Sequence, residues 1–254
     1  MNSAMAHLDN GKFTGLQKWY WSEVDEAHYR WQTSGPYIAA TEARLLASVE
    51  LRPGERFLEI GCGEGANLHH MDARTTAASI FAVDFSPAKV RFASRATRAK
   101  TASADATQLP FRDGSFDAAL IRDLLHHVAD RRAVLAEAVR VLRPGGRLTV
   151  IEPNGRNPIV AAMALAISAE RGMLSSTLDR VASELRAAGV IDLAMAREQP
   201  FPVSRVVLHY RLGAPSLGAN RVVLTALRAL ERFAVVLPRR SWAYFVLNGR
   251  RSPG

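Results

Sequence analysis

The stretch Arg56-Phe57-Leu58-Glu59-Ile60-Gly61-Cys62-Gly63-Glu64-Gly65-Ala66 decides the fold. Phe57, Leu58 and Ile60 make a short apolar run of the kind that fills a buried parallel strand. Three glycines then strip the next turn of side chains, so that backbone N–H groups and a helix N-terminus can approach a ligand closely. Alone, the pattern is ambiguous. Gly61, Gly63 and Ala66 also satisfy the dinucleotide fingerprint, and Asp84 falls near the distance of a ribose-binding carboxylate. The flanking chain has to choose between a nicotinamide nucleotide and another ligand.

Downstream, strands and helices alternate. Strand one is expected at Arg56 to Ile60, a helix at Ala66 to Ala73, and strand two at Ser79 to Val83, with Ser86 capping the next helix and Pro87 at its first position. Strand three is Thr101 to Ala104 and strand four Phe116 to Ile121. A helix follows from about Arg131 to Leu142, and Arg143-Pro144-Gly145-Gly146 reads as a stop before strand five, Arg147 to Ile151. This alternation predicts an α/β chain with a Rossmann-like, doubly wound sheet and ligands at the carboxyl ends of its strands. Asp84 leaves strand two where a ribose diol would lie, Phe85 is placed to rest against a base, and Asp105 leaves strand three within reach of an exocyclic amine.

Upstream, residues 1 to 15 read as a polar leader. A helix pair spans Leu16 to Glu50, divided at Gly35-Pro36 and rich in aromatics: Trp19, Tyr20, Trp21, Tyr29 and Trp31. Residues 1–50 are expected as a helical lid, 51–198 as the ligand-binding core, 199–240 as a helical cap insertion and 241–254 as a closing strand with a basic tail. After strand five come a helix at Asn157 to Gly172, another at Ser175 to Ala188, and strands at Val190 to Glu198 and Ser241 to Asn248, giving seven strands in all.

Composition sets the bounds. With 254 residues, 48% of them hydrophobic and 22% charged, the chain is globular. Its single cysteine excludes an internal disulfide and fits a reducing compartment; Cys62 reads as a small filler between glycines. Met1 to Asn10 lacks the pattern of a secretory signal, and the longest nearly uncharged apolar stretch, Pro158 to Ala169, is too short to span a bilayer. A cytoplasmic protein is expected. The net charge of +9 is lopsided: Phe201 to Gly254 holds nine arginines against one acid, Glu231. Such a face suits nucleic acid, anionic lipid or a phosphorylated substrate.

The ordered set of motifs resembles the class I S-adenosylmethionine-dependent methyltransferases. Leu58 to Gly65 looks like the first motif of that family and Val83 to Pro87 like the second. Ala104-Asp105-Ala106 with Leu109-Pro110-Phe111, then Gly114 to Asp117, look like the third and the entry to strand four; Leu124 to Val128 and Leu142 to Gly146 complete the set, over about residues 50 to 153. The resemblance implies S-adenosyl-L-methionine as cofactor. It implies Glu59 with the Gly61 to Gly65 backbone at the methionine part, Asp84 at the ribose, and Asp105 with the Ala106 backbone at the adenine. Arg122 and Asp123 would face the amino-acid end, although a large cation at 122 departs from the family pattern. A dehydrogenase is disfavoured, because too little chain follows strand five for a separate substrate domain.

Methyl transfer from a sulfonium needs alignment above all, with a base where the acceptor carries a proton. His126 and His127 are the base candidates, and no metal-ligand set is assigned. Within the insertion, Arg221, Thr225, Arg228 and Arg232 form a polar stripe on an otherwise apolar helix from Arg221 to Leu237. The expected acceptor is a small or lipid-like molecule methylated at oxygen, with peripheral contact to the inner face of a membrane through the basic region and no specific nucleic acid. Methylation of RNA or protein, and a catalytically silent cofactor-binding module, are the alternatives.

Overall fold

The computed structural model describes residues 22–74, 78–211 and 213–253. The expected polar leader and the part of the expected first helix with Trp19, Tyr20 and Trp21 lie outside those residues.

Seven strands form one sheet: β1 Arg56–Ile60, β2 Ser79–Asp84, β3 Lys100–Ser103, β4 Phe116–Arg122, β5 Leu142–Pro153, β6 Val190–Glu198 and β7 Tyr244–Arg251. Their order across the sheet is β3-β2-β1-β4-β5-β7-β6. The first five run parallel, and β7 enters antiparallel between β5 and β6. Because β1 begins the order in both directions, the carboxyl ends of β1, β2 and β4 border one crevice.

The helices among the described residues are α1 Glu26–Ser34, α2 Pro36–Leu45, α3 Ala66–Asp72, α4 Pro87–Ala96, α5 Arg131–Val141, α6 Pro158–Ala166, α7 Leu178–Ala187, α8 Val203–Val207 and α9 Arg221–Phe233. Side-chain caps fix several starts, as expected at Ser86, whose Oγ accepts from the Lys89 N–H. Asp25, Asp130, Asn157, Thr177 and Asn220 cap α1, α5, α6, α7 and α9 in the same manner.

Two apolar clusters sandwich the sheet. One joins Leu58, Ile60, Val150 and Phe245 to α5 and α7; the other joins Phe57, Leu120 and Ile151 to Leu68 and Met71 of α3 and Leu45 and Leu46. Burying each of these large side chains contributes about 1.5–3 kcal/mol. A third, smaller cluster is Ile38, Leu208 and Leu227, where α2 meets α8 and α9. It joins the N-terminal helices directly to the segment 199–240.

Besides shifts of one to three residues at other element ends, four boundaries differ from the sequence expectation. Arg143 to Gly146 does not stop the strand: β5 starts at Leu142, pairs with Phe116, and absorbs the turn as an irregularity before Ala118 pairs with Arg147. The helix after β5 ends at Ala166, and a 3-10 turn over Ser168–Ser175 replaces its second half. That turn lays Gly172 against the His126 carbonyl, where a Cβ would sit 1.6 Å from the oxygen. The closing strand is Tyr244–Arg251 rather than Ser241 to Asn248, because Arg239–Ser241 forms a 3-10 turn. Lastly, α9 stops at Phe233 and continues as a 3-10 turn over Ala234–Val236.

Candidate active site

The glycine turn is held open by its backbone. Gly61, Gly63 and Gly65 have φ of 82°, 53° and 86°, a left-handed region where a side chain is strained. The N–H groups of Gly61 and Cys62 both donate to the Val83 carbonyl, at 2.8 and 3.0 Å, which pins the turn to β2. A Cβ on Gly61 would lie 3.0 Å from the Leu124 side chain, so the turn also lets the β4 loop close down beside it. Burial pushes the Cys62 thiol well above its usual range, consistent with packing rather than nucleophilic chemistry.

Asp84 at the end of β2 is buried beside this turn. One carboxylate oxygen accepts the Gly63 N–H and the other the Ser86 N–H, each at 2.9 Å. Each oxygen keeps a lone pair for a further donor. Burial raises its pKa, against the pull of Lys89 and those two N–H groups. Lys89 itself pairs with Glu64 at 3.2 Å, both nearly buried.

At the end of β4, Arg122 is almost wholly buried. It donates to Glu42 of α2, to Asn67 Oδ1 at 2.8 Å and to Asp123 at 3.3 Å. Glu42 also receives Arg205 from α8. Burial works to raise the Glu42 pKa, but Arg122 and Arg205 outweigh it and hold the carboxyl below its ordinary range. The cation at 122 is thus bound into a buried network joining β4, α2 and α8, which explains its departure from an uncharged residue.

His126 and His127 lie in the 3-10 turn Leu125–His127, their ring centroids 3.9 Å apart. His126 Nδ1 is 2.6 Å from Oε2 of Glu152, whose Oε1 accepts the N–H groups of Leu124 and Leu125. Glu170, from the turn after α6, puts its Oε2 3.5 Å from His126 Nε2 and 4.0 Å from His127 Nε2. That oxygen is buried and makes no hydrogen bond. Burial opposes the charged form of His126, yet Glu152 and Glu170 prevail and raise its pKa to about 10. Burial, followed by the neighbouring His126 cation, drives His127 down to about 3. The two histidines are therefore split, one cationic and one neutral.

Donor atoms of His126, His127 and Glu170 lie within 4.8 Å of one another, a three-group cluster that the sequence reading, assigning no metal, did not anticipate. Within this cluster His126 Nδ1 is already engaged by Glu152, so its Nε2 is the nitrogen that faces Glu170.

These pieces face one cavity of about 560 Å³. Of the residues predicted from sequence, Gly61, Cys62, Gly63, Asp84, Phe85, Arg122, His126 and His127 line it. Glu59, Asp105 and Ala106 do not. Glu59 is fully buried behind the turn, where Oε1 accepts from Asn67 Nδ2 at 2.6 Å and burial pushes its pKa up to about 8. Asp105 Oδ1 accepts from the N–H and the hydroxyl of Thr107, at 2.8 and 2.7 Å, so the carboxylate folds back on its own loop.

The cavity is roofed by segments far apart in the chain. Trp31 of α1 donates its indole N–H to the Leu208 carbonyl at 2.7 Å, and Tyr37 of α2 donates to Glu231 of α9 at 2.6 Å. Asp25 accepts from the Tyr210 hydroxyl at 2.9 Å and pairs with Arg211. His28, Trp31, His209 and Tyr210 pack ring against ring on the cavity wall.

Sequence reasoning missed Glu152, Glu170, Glu42 and Arg205. Glu152 was within reach, since Ile151-Glu152-Pro153 ends a strand with an acid just as Asp84 does. The other three matter only through tertiary contacts and carry no local signal.

Residues 58–150 match the family described as a methyltransferase domain. The 27-O-demethylrifamycin SV methyltransferase of Amycolatopsis mediterranei is 40% identical over 114 residues, covering 42% of this chain and 42% of that protein. The demethylmenaquinone methyltransferase of Clavibacter sepedonicus is 39% identical over 157 residues, covering 58% of this chain and 62% of that one. In both cases the chain spans less than two thirds of the relative's length. Among solved structures, a methyltransferase of Thermotoga maritima described as a possible histamine N-methyltransferase superposes with a TM-score of 0.63 at 18% identity, over 89% of this chain and 95% of that one.

Proposed function

Starting from a chain whose residues 58–150 match a methyltransferase-domain family, we propose that it is a class I S-adenosylmethionine-dependent methyltransferase acting at an oxygen of a small or lipid-like acceptor. One observation carries the reading: the glycine turn, the Asp84 carboxylate and the His126–Glu170 pair all face a single covered cavity. Both relatives named above are methyltransferases of small organic molecules by their descriptions, and the first acts at an oxygen.

The residues present fit the adenosyl donor. Three left-handed glycines leave a cradle, and the free lone pairs on both Asp84 oxygens match the two hydroxyls of a ribose. In this proposal Asp84 holds the ribose, Phe85 flanks the base, and the Gly61 to Gly63 backbone holds the methionine part. Glu59 supports the turn from behind through Asn67. Asp105 is turned to Thr107 through Oδ1, and neither it nor Ala106 lines the cavity, so a contact from them to the adenine requires the loop to move toward the ligand. When bound, the donor supplies a methyl carbon already activated by its positive sulfur.

The remaining work is proton removal from the acceptor hydroxyl. Both ring nitrogens of His126 face carboxylates, Nδ1 that of Glu152 and Nε2 that of Glu170, which suits the ring to positioning Glu170 rather than to taking the acceptor proton itself. Glu170 Oε2 is an ionised oxygen on the cavity wall with no hydrogen bond. We assign it the acceptor proton, released as the oxygen bonds to carbon, with the His126 cation as its electrostatic partner and Glu152 fixing the ring. The roof narrows access to the cavity and disfavours a bulky RNA or protein acceptor.

The test is transfer of labelled methyl to hydroxylated aromatic and quinol acceptors, with calorimetry of S-adenosylhomocysteine in parallel. Turnover with tight product binding supports the proposal; binding without any turnover supports a silent module, and no binding removes both.

A further inference from the structure

Helix α9 shows three stripes rather than two. Val223, Leu224, Leu227, Glu231 and Ala234 face inward, against α2 and α8. Arg221, Thr225, Arg228 and Arg232 form the polar stripe. Val222, Ala226, Ala229, Leu230 and Phe233, spaced i, i+4, i+7, i+8 and i+11, form a second apolar stripe that points away from the core. Val222, Phe233 and Val236 are 77%, 76% and 88% exposed, and Val235 and Leu237 extend the same surface into the following turn. A core-facing helix has no need of this outer stripe.

The exposed charge that this segment contributes has one sign. The sole acid of residues 201–254, Glu231, is turned inward, where its oxygens accept from Tyr37, the Ser204 N–H and the Ser204 hydroxyl. Exposed Arg221, Arg228, Arg232, Arg239 and Arg240 therefore border the apolar strip with no acid from this segment among them. An apolar ridge sunk into the acyl boundary with guanidinium groups at headgroup level is the arrangement of a helix lying on an anionic bilayer. Among the described residues no helix is long and apolar enough to cross a membrane.

We propose that the outer face of α9 and the turn after it, from Val222 to Arg240, docks on an anionic phospholipid surface. The inference deepens the lipid-like acceptor reading and rests on it for its purpose. The segment 199–240 has two sides: the outer face of α9 is turned to lipid, while Pro202, Arg205, His209 and Tyr210, in and after the α8 region that α9 packs on, form cavity wall. Docking there sets the roof of the cavity against the membrane that holds a lipid-like acceptor, so the acceptor has only a short path to travel.

The experiment is co-sedimentation of the full chain with vesicles of phosphatidylglycerol and phosphatidylcholine, and with vesicles of phosphatidylcholine alone. The expected result is binding to the anionic vesicles that weakens with salt. Removing each arginine in an Arg232→Gln, Arg240→Gln variant should weaken it about fivefold. Phe233→Asp with Val236→Asp should abolish it, while circular dichroism and S-adenosylhomocysteine binding stay as in the parent. No preference for anionic vesicles, or equal binding by the variants, overturns the proposal. So does a dimer that the Phe233 and Val236 changes split into monomers without any vesicle binding, which would assign the face to a second copy of the chain. Vesicle binding with no S-adenosylhomocysteine binding would leave the docking surface standing and remove the enzyme reading.

Discussion

His126 and Glu152 form a buried pair, with 2.6 Å between Nδ1 and Oε2 and no solvent on either side chain. The other Glu152 oxygen holds the backbone of Leu124 and Leu125, so the pair fixes the loop after β4 and the charge of the ring together.

The pH profile follows from that charge. Glu170 acting as base beside a cationic His126 gives a rate that is flat through neutrality and falls as pH rises toward about 10, where His126 loses its proton. A rate that climbs through the same range would make His126 itself the base. Glu170→Gln should lower kcat about a hundredfold, the usual scale for losing a positioned base, with donor affinity little changed.

The same pair links pH to stability. The folded pKa of His126 is raised above its ordinary value of 6.5, so its contribution is complete below that value and disappears as pH rises toward about 10. His126→Gln should flatten this alkaline decline, read as melting temperature against pH.

Glu59 gives the opposite use of a carboxylate. Burial raises its pKa to about 8, so the protonated form favours folding and stability declines from the acid side up to that pH. Glu59→Gln keeps an oxygen for Asn67 and removes the ionisation. The variant should melt no lower than the parent at about pH 9 and should bind S-adenosylhomocysteine unchanged. A large loss of binding would return Glu59 to the methionine contact.

Asp84→Ala removes two acceptors from the wall of the cavity. Donor affinity should fall between about tenfold and a hundredfold by calorimetry, the range for charge-assisted hydrogen bonds. An unchanged dissociation constant would place the ribose elsewhere.

Glu42 sits between two guanidinium groups, those of Arg122 and Arg205. Glu42→Ala leaves both buried and short of a counter-charge, and urea unfolding should show a loss of about 3–5 kcal/mol. Replacing Glu42, Arg122 and Arg205 together by apolar residues of similar size removes the unpaired cations as well and should recover much of it.

The sheet and the glycine turn were legible because they depend on local pattern. Apolar runs of strand length, glycines at left-handed positions and the Ser86 cap each announce themselves within a few residues. Val190 to Glu198 was even bounded correctly. The proton-handling group was half legible: the two histidines stand side by side in sequence, but the carboxylates that set their charges come from β5 and from a turn that replaces half of an expected helix. The roof was least legible, since Trp31 meets Leu208 only after the sheet has brought α1 and α8 together.

The strand order has a consequence for biosynthesis. Residues 190–198 touch the sheet only through residues 244–251, which wedge between them and β5. On the ribosome, the half of the sheet that seats the nucleotide can assemble while β6 still waits for its neighbour, with one edge unpaired. Chaperone demand should peak in that interval, and a nonsense codon just before Tyr244 should yield an aggregating product rather than a shorter enzyme.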